Sequence, residues 1–309
     1  MSTAALLLVG ACGARSALDL PPGDSPGGVN GNDAGVDGTM LPDGGGSVTF
    51  NCAEAGVTYI YVIGTDNLLY SFYPTTGELT PVGVIDCNDP FGATPFSMAV
   101  DHQGVAYVEF GSGLLYRVST KTAECEPTPF VQNQQGFSTT FGMGFVASDA
   151  GGGGSTEVLY VASSPPTDAG DVPSQLARID VTTFDLENLG TIGLAGGMPV
   201  HEPELTSTGG GKLYGFFAPS AGAPPSFIVE INPGTLAVES NVLLPDVVEG
   251  QGWAFGFWGG DFYMLTAPDD VTSIITRYRP SDGSIVQVAT APLGVLLVGA
   301  GVSTCAPQQ

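Results

Sequence analysis

His201 and Glu202 stand side by side between Pro199 and Pro203, the sharpest local pairing of an imidazole with a carboxylate in the chain. With Asp89 or Glu249 added, they could form an oxygen-rich site for a divalent cation such as calcium. Gln134, Gln135, Gln251 and Trp253 lie in loops of the same kind. Amides and carboxylates beside an indole suit a sugar or another small polar ligand. His102, next to Asp101 and ahead of Gln103-Gly104, reads as a solvated turn residue instead.

Other chemistries lack their residues. The chain has two histidines, no Gly-x-Ser-x-Gly and no CxxC, so neither an acyl-transfer triad nor a cysteine metal site is expected. Glycine runs at Gly151-Gly154 and Gly209-Gly211 lead into strand-like segments rather than helices, which excludes a phosphate loop or a dinucleotide fingerprint. Among candidate inner strands, Glu204 is the main carboxylate, too few for a glycosidase pair. The favoured reading is therefore non-enzymatic, with no cofactor and no metal.

Seven Lys and Arg face 31 Asp and Glu, a formal charge of -24. Such a chain lacks the clustered cations that nucleic-acid phosphates require. No apolar run reaches the length of a membrane-spanning helix.

The loops must be held by something, and two alternating motifs identify it. The first is a short strand with a fixed tyrosine: Tyr61, Tyr107, Tyr160, Tyr214 and Tyr263 recur at intervals of roughly fifty residues. The second is a strand running into a tight turn, as in Leu69-Tyr70-Ser71-Phe72-Tyr73-Pro74-Thr75-Thr76-Gly77, and again from Leu115, Leu176, Ile228 and Ile275. Apolar and polar residues alternate in these runs, and Pro, Asp and Gly follow them, the pattern of half-buried hairpin strands. Before the tyrosine strand come Phe96-Val100, Phe141-Phe145, Glu204-Ser207 and Trp253-Phe257, where small residues alternate with large ones as a crowded innermost strand requires.

These repeats predict an all-β fold, a β-propeller of about five four-stranded blades. The first copy lacks its innermost strand while Val295-Val302 has no successor, so the C-terminal strand is expected to close the ring and hide its edges. The recurring tyrosines read as packing between blades. Setting Cys12 aside leaves four cysteines, assigned as Cys52 with Cys305 across the seam and Cys87 with Cys125. The loops carrying the candidate residues would then gather on one rim.

Residues 1–12 read as an export signal, with Ala4-Ala5-Leu6-Leu7-Leu8-Val9 as its apolar run. Residues 13–46 are a Gly/Asp/Pro-rich linker unable to bury a core, and 47–309 form the propeller domain. Val9-Gly10-Ala11-Cys12 resembles the lipobox of bacterial lipoproteins, which implies lipidation at Cys12.

From Val57 to about Thr304 the chain resembles exported bacterial propellers with YVTN, NHL or PQQ-like repeats, whose units read Leu-Tyr-x-Val/Ile-Asp and then a Thr-Gly turn. Tyr61-Val62, Tyr107-Val108 and Tyr160-Val161 carry the likeness. A well-formed ring, a tether and no catalytic constellation favour an exported monomer, periplasmic or at the cell surface, held to a membrane through the lipid alone and binding a protein or glycan on one face. The alternative is a metal-dependent hydrolase or lactonase, since His201, Glu202 and Glu249 are similar in kind to the axial site of lactonase-type propellers.

Overall fold

The computed structural model describes residues 59–148, 156–164, 172–193, 200–218 and 225–309. Cys12 and Cys52, the signal and the linker lie outside these residues, as do residues 149–155 and 165–171 of the third repeat.

Among the described residues, five antiparallel sheets of four strands each form the ring. Blade 1 takes its innermost strand from the C-terminal end: Leu297–Gly301 pairs with Ile60–Gly64, Ala300 lying opposite Val62. The ring is therefore closed by the C-terminal strand, as the repeat pattern predicts. The other innermost strands are Pro95–Val100 in blade 2, Phe141–Ala147 in blade 3, Glu204–Ser207 in blade 4 and Trp253–Trp258 in blade 5. All five run the same way along the axis. The ring thus has a front face, where they begin, and a rear face, where they end.

The apolar core is divided rather than central. Each of five buried clusters lies between two neighbouring blades, such as Tyr107, Phe141, Met143 and Phe145 between blades 2 and 3. The repeated tyrosines take part: Tyr107 meets Phe145 edge-on at 5.2 Å, and Tyr214 meets Phe262 at 4.9 Å across blades 4 and 5. Their place in the repeat is explained by burial between sheets.

Glycine brings the innermost strands together along the axis. A Cβ added at Gly301 would stand 2.6 Å from Val100 Cγ2, and one at Gly142 would collide with the Pro203 carbonyl oxygen. What remains in mid-axis is a cavity of about 10 Å³ lined by residues including Ala99, Met143, Leu205 and Ala300, room for about one water.

The rear end is covered by the segment that follows the last strand. Thr304 Oγ1 donates to Glu157 Oε2 (2.9 Å), Gln308 Oε1 accepts from Gly209 N (2.8 Å), and the Pro307 carbonyl accepts from Gly259 N (2.7 Å). These partners belong to blades 3, 4 and 5. His102, expected to be solvated, is instead held here: its Nδ1 and its backbone N–H both lie against Glu157 Oε1, at 2.7 and 2.8 Å. Burial of Asp101 raises its carboxyl to about 7, with Glu157 adding to the effect. The hydrogen bond that His102 makes to Glu157 raises its imidazole against the opposing effect of its own burial.

Cys87 and Cys125 form the expected disulfide, which links the loop after blade 1 to the outermost strand of blade 2. Cys305 is also disulfide-bonded; Cys52, the partner assigned to it from the sequence, is outside the described residues. No helix among the described residues is long and apolar enough to cross a membrane.

Candidate functional site

Carboxyl groups from three blades meet at the front end of the axis. Glu204 opens the innermost strand of blade 4, and its Oε2 accepts from Ser97 Oγ at 3.0 Å. Ser97 belongs to blade 2, so this bond passes across the axis to a blade that is not a neighbour. Directly opposite Ser97 in the strand register is Glu109, fully buried, whose Oε2 accepts from Phe141 N at 3.0 Å. Its Oε1 has no partner. Burial drives Glu109 well above the ordinary carboxylate range, the Phe141 N–H opposes this, and Glu204 adds repulsion. Glu204 is raised in the same way by burial, relieved by Ser97 and reinforced by Glu249.

Glu249, in the loop before the innermost strand of blade 5, is only 3% exposed. Its buried Oε1 has no hydrogen-bond donor. A carboxyl group in that position favours its protonated form. Burial, with repulsion from Glu202, pushes it up to about 8. Glu202 is half-buried and raised by burial, with His201 pulling it back. Its backbone takes the left-handed φ of 43°, a conformation that costs a non-glycine residue roughly 1 kcal/mol or more. The Glu202 N–H donates to Ser174 Oγ at 2.9 Å, which holds it there.

His201 Nδ1 lies 3.1 Å from the Val172 carbonyl. A carbonyl only accepts, so Nδ1 is the donor in this contact, and in the neutral ring Nε2 is then the acceptor. Nε2 is buried and has no partner. The front of the axis therefore offers a run of coupled groups, Glu109 to Glu204 to Glu249 to Glu202 with His201 beside it, in which Glu109 Oε1, Glu249 Oε1 and His201 Nε2 have no partner.

The remaining candidates divide. Asp89 lies on the front face, but its oxygens are occupied by Phe91 N, Ala93 N, Ser112 Oγ and Tyr116 Oη. Burial acts to raise it, and these donors together outweigh burial and hold it below its ordinary value. It shapes a loop. Gln251 is exposed at the front, its N–H bound to Asp270 Oδ1, and Trp253 is half-buried against the cluster between blades 4 and 5.

Gln134 and Gln135 do not join the axial group. Gln134 Nε2 and Oε1 pair with Phe184 O and Leu186 N, and Gln135 pairs with Leu186 O and Asn188 N. Their amides continue the sheet at the outermost strand of blade 3. An exposed strand edge has unpaired backbone groups, and these two side chains satisfy part of it.

Among the described residues, no three His, Cys, Asp or Glu side chains gather to hold a metal ion. The axial carboxyls are coupled one to the next instead of surrounding a point. Glu109 was not among the residues singled out from the sequence. Its signal was present, an acid inside the apolar strand Val105–Phe110, but only pairing with Ser97 shows which way it faces.

No family model matches the chain, and no curated protein matches it. Solved structures are similar at low identity. A thermostable family-43 glycoside hydrolase is 12% identical, with a TM-score of 0.45 over 62% of this chain and 71% of that one. TolB from Acinetobacter baumannii is 9% identical, with a TM-score of 0.40 over 75% of this chain and 53% of that one. A protein of unknown function from Bacteroides thetaiotaomicron is 12% identical, with a TM-score of 0.43 over 81% of this chain and 62% of that one. The chain thus spans less than two thirds of the length of the latter two.

Proposed function

We propose that this chain is an exported, membrane-tethered binding propeller that takes a protein or glycan ligand at the front face of its ring. The observation that carries this reading is Glu249, a buried carboxyl whose Oε1 has no donor, coupled through Glu202 to His201, whose buried Nε2 also has no partner. Buried polar groups are normally paired, so acceptors left open at the mouth of a ring are places for a ligand's donors. The rear supports the same choice of face, because the C-terminal segment already lies across it. Export is supported by the Cys87–Cys125 disulfide, which suits an oxidising compartment, and tethering by the Val9-Gly10-Ala11-Cys12 sequence.

The test is a glycan-array and protein-array screen with the full chain, repeated with Glu249→Gln and with Lys121→Glu on the rear face. Binding that weakens about tenfold in the first variant and is unchanged in the second is the expected result. Binding indifferent to Glu249, or dependent on rear residues, overturns the assignment of the face. Expression of the parent and a Cys12→Ala chain in a bacterial host tests the tether, since only the parent should fractionate with membranes.

A further inference from the structure

The front face differs from the rear in more than its carboxyl groups. Phe91 is 71% exposed, Val131 64%, Val271 53% and Leu293 91%. These four lie on four different loops at the front end of the ring, in or next to blades 1, 2 and 5. Val84 and Val172 extend the set at the same end, whereas the exposed large apolar residues Tyr59, Ile285 and Val286 lie toward the rear. Exposed single residues need no explanation, but their concentration at one end of the ring does.

Charge is sorted in the same way. The front loops carry Asp66, Asp86, Asp89, Asp246, Asp269 and Asp270, with Glu202 and Glu249 at the centre, and not one lysine or arginine. The described basic residues lie in strands or rear turns, and most are already matched: Lys212 with Glu230, Arg277 and Arg279 with Asp261, Arg178 with Glu187. The front loops therefore carry acids and no bases, with exposed apolar residues at the same end and atoms without partners, Glu249 Oε1 and His201 Nε2, at the centre. The complement of such a face is an apolar surface with a cation projecting from the middle.

We infer that the front face docks a protein partner by an apolar patch carrying a lysine or arginine, whose side chain enters the axial mouth and donates to Glu202, Glu249 and the Nε2 of His201. A guanidinium or ammonium supplies several donors from one group, matching acceptors arranged in a run. The apolar rim excludes water around that contact, as the surround of an interface hot spot does. A neutral glycan could supply donors, but it would leave the negative field unmatched. This inference rests on the proposed front-face binding reading and narrows it to one class of ligand.

A peptide library tests it, with one central position fixed as Lys, Arg, Gln or Glu and the flanking positions randomised, selected on the full chain. Selected sequences should carry Lys or Arg at the centre and apolar residues beside it. Their affinity should fall about tenfold in Glu249→Gln and again in a Phe91→Ser, Leu293→Ser double variant, whose changed residues are exposed and leave the core untouched. Added salt should weaken binding. Selection of Gln- or Glu-centred peptides, of none, or of peptides unaffected by both variants overturns the inference. If no peptide is selected while a neutral glycan binds in a Glu249-dependent way, the front-face reading stands and the partner class is wrong. If neither binds, both fall.

Discussion

A carboxyl group shut away from water and denied a donor keeps its proton, and in doing so makes stability depend on pH. Glu249 stands at about 8 in the folded ring against an ordinary 4.5. Below pH 4.5 both folded and unfolded chains hold the proton, and the group costs nothing. Between 4.5 and 8 the unfolded chain releases it while the ring retains it, so stability falls as pH rises. For a group this buried the loss is on the order of 5 kcal/mol at its full extent. Glu109 and Glu204 act with the same sign. Urea unfolding at pH 5 and pH 8 should show the parent weaker at pH 8. Glu249→Gln should flatten that slope and be the more stable chain at pH 8. Equal slopes for the two would mean that Glu249 titrates as an ordinary surface acid. Part of this site was legible in the sequence, because His201, Glu202 and Glu249 stand in loops where acids and a histidine draw notice. Glu109 and the bond from Ser97 to Glu204 were not, because both depend on register and on a contact across a ring that local pattern does not encode.

At the scale of the strand, the alternation of glycine with large apolar residues determines how near the blades come to the axis. Phe141, Met143 and Phe145 point into the seam between blades 2 and 3, while Gly142 and Gly144 face blade 4 at backbone distance. A methyl group at Gly142 has nowhere to go, since the obstacle is the Pro203 carbonyl. At Gly144 the nearest atom is Leu205 C at 3.1 Å, and a small shift suffices. Gly142→Ala should therefore cost roughly 1–3 kcal/mol and Gly144→Ala clearly less, measured as loss of thermal stability. Equal losses would show that the strands can part freely. The repeat made these strands readable, because small and large residues alternate with the period of a strand. The clamp of Gln134 and Gln135 was hidden, because an amide pairs with a strand edge only where the fold brings one within reach, and nothing in Gln-Gln names the outermost strand of blade 3.

A ring of five blades has a seam and two open ends, and one C-terminal stretch serves both the seam and the rear end. Leu297–Gly301 completes blade 1 by backbone pairing, and the residues after it cross toward blades 3, 4 and 5. The two roles should separate on truncation. Removing Pro307 to Gln309 takes away the acceptors of Gly259 N and Gly209 N. Both amides sit in rear turns where water can partly replace the lost partners, so the expected cost is about 1–2 kcal/mol. Hydrogen exchange should rise at Gly209 and Gly259 while the amides of Tyr61 and Ile63 stay protected. Removing the chain from Leu297 onward is a different injury, because it leaves the edge of Ile60–Gly64 unpaired and open to another chain. That chain should aggregate, and light scattering would detect it. If the short truncation instead raised exchange along Ile60–Gly64, the final three residues would be part of the closure itself, and the rear cover and the seam would be one structure.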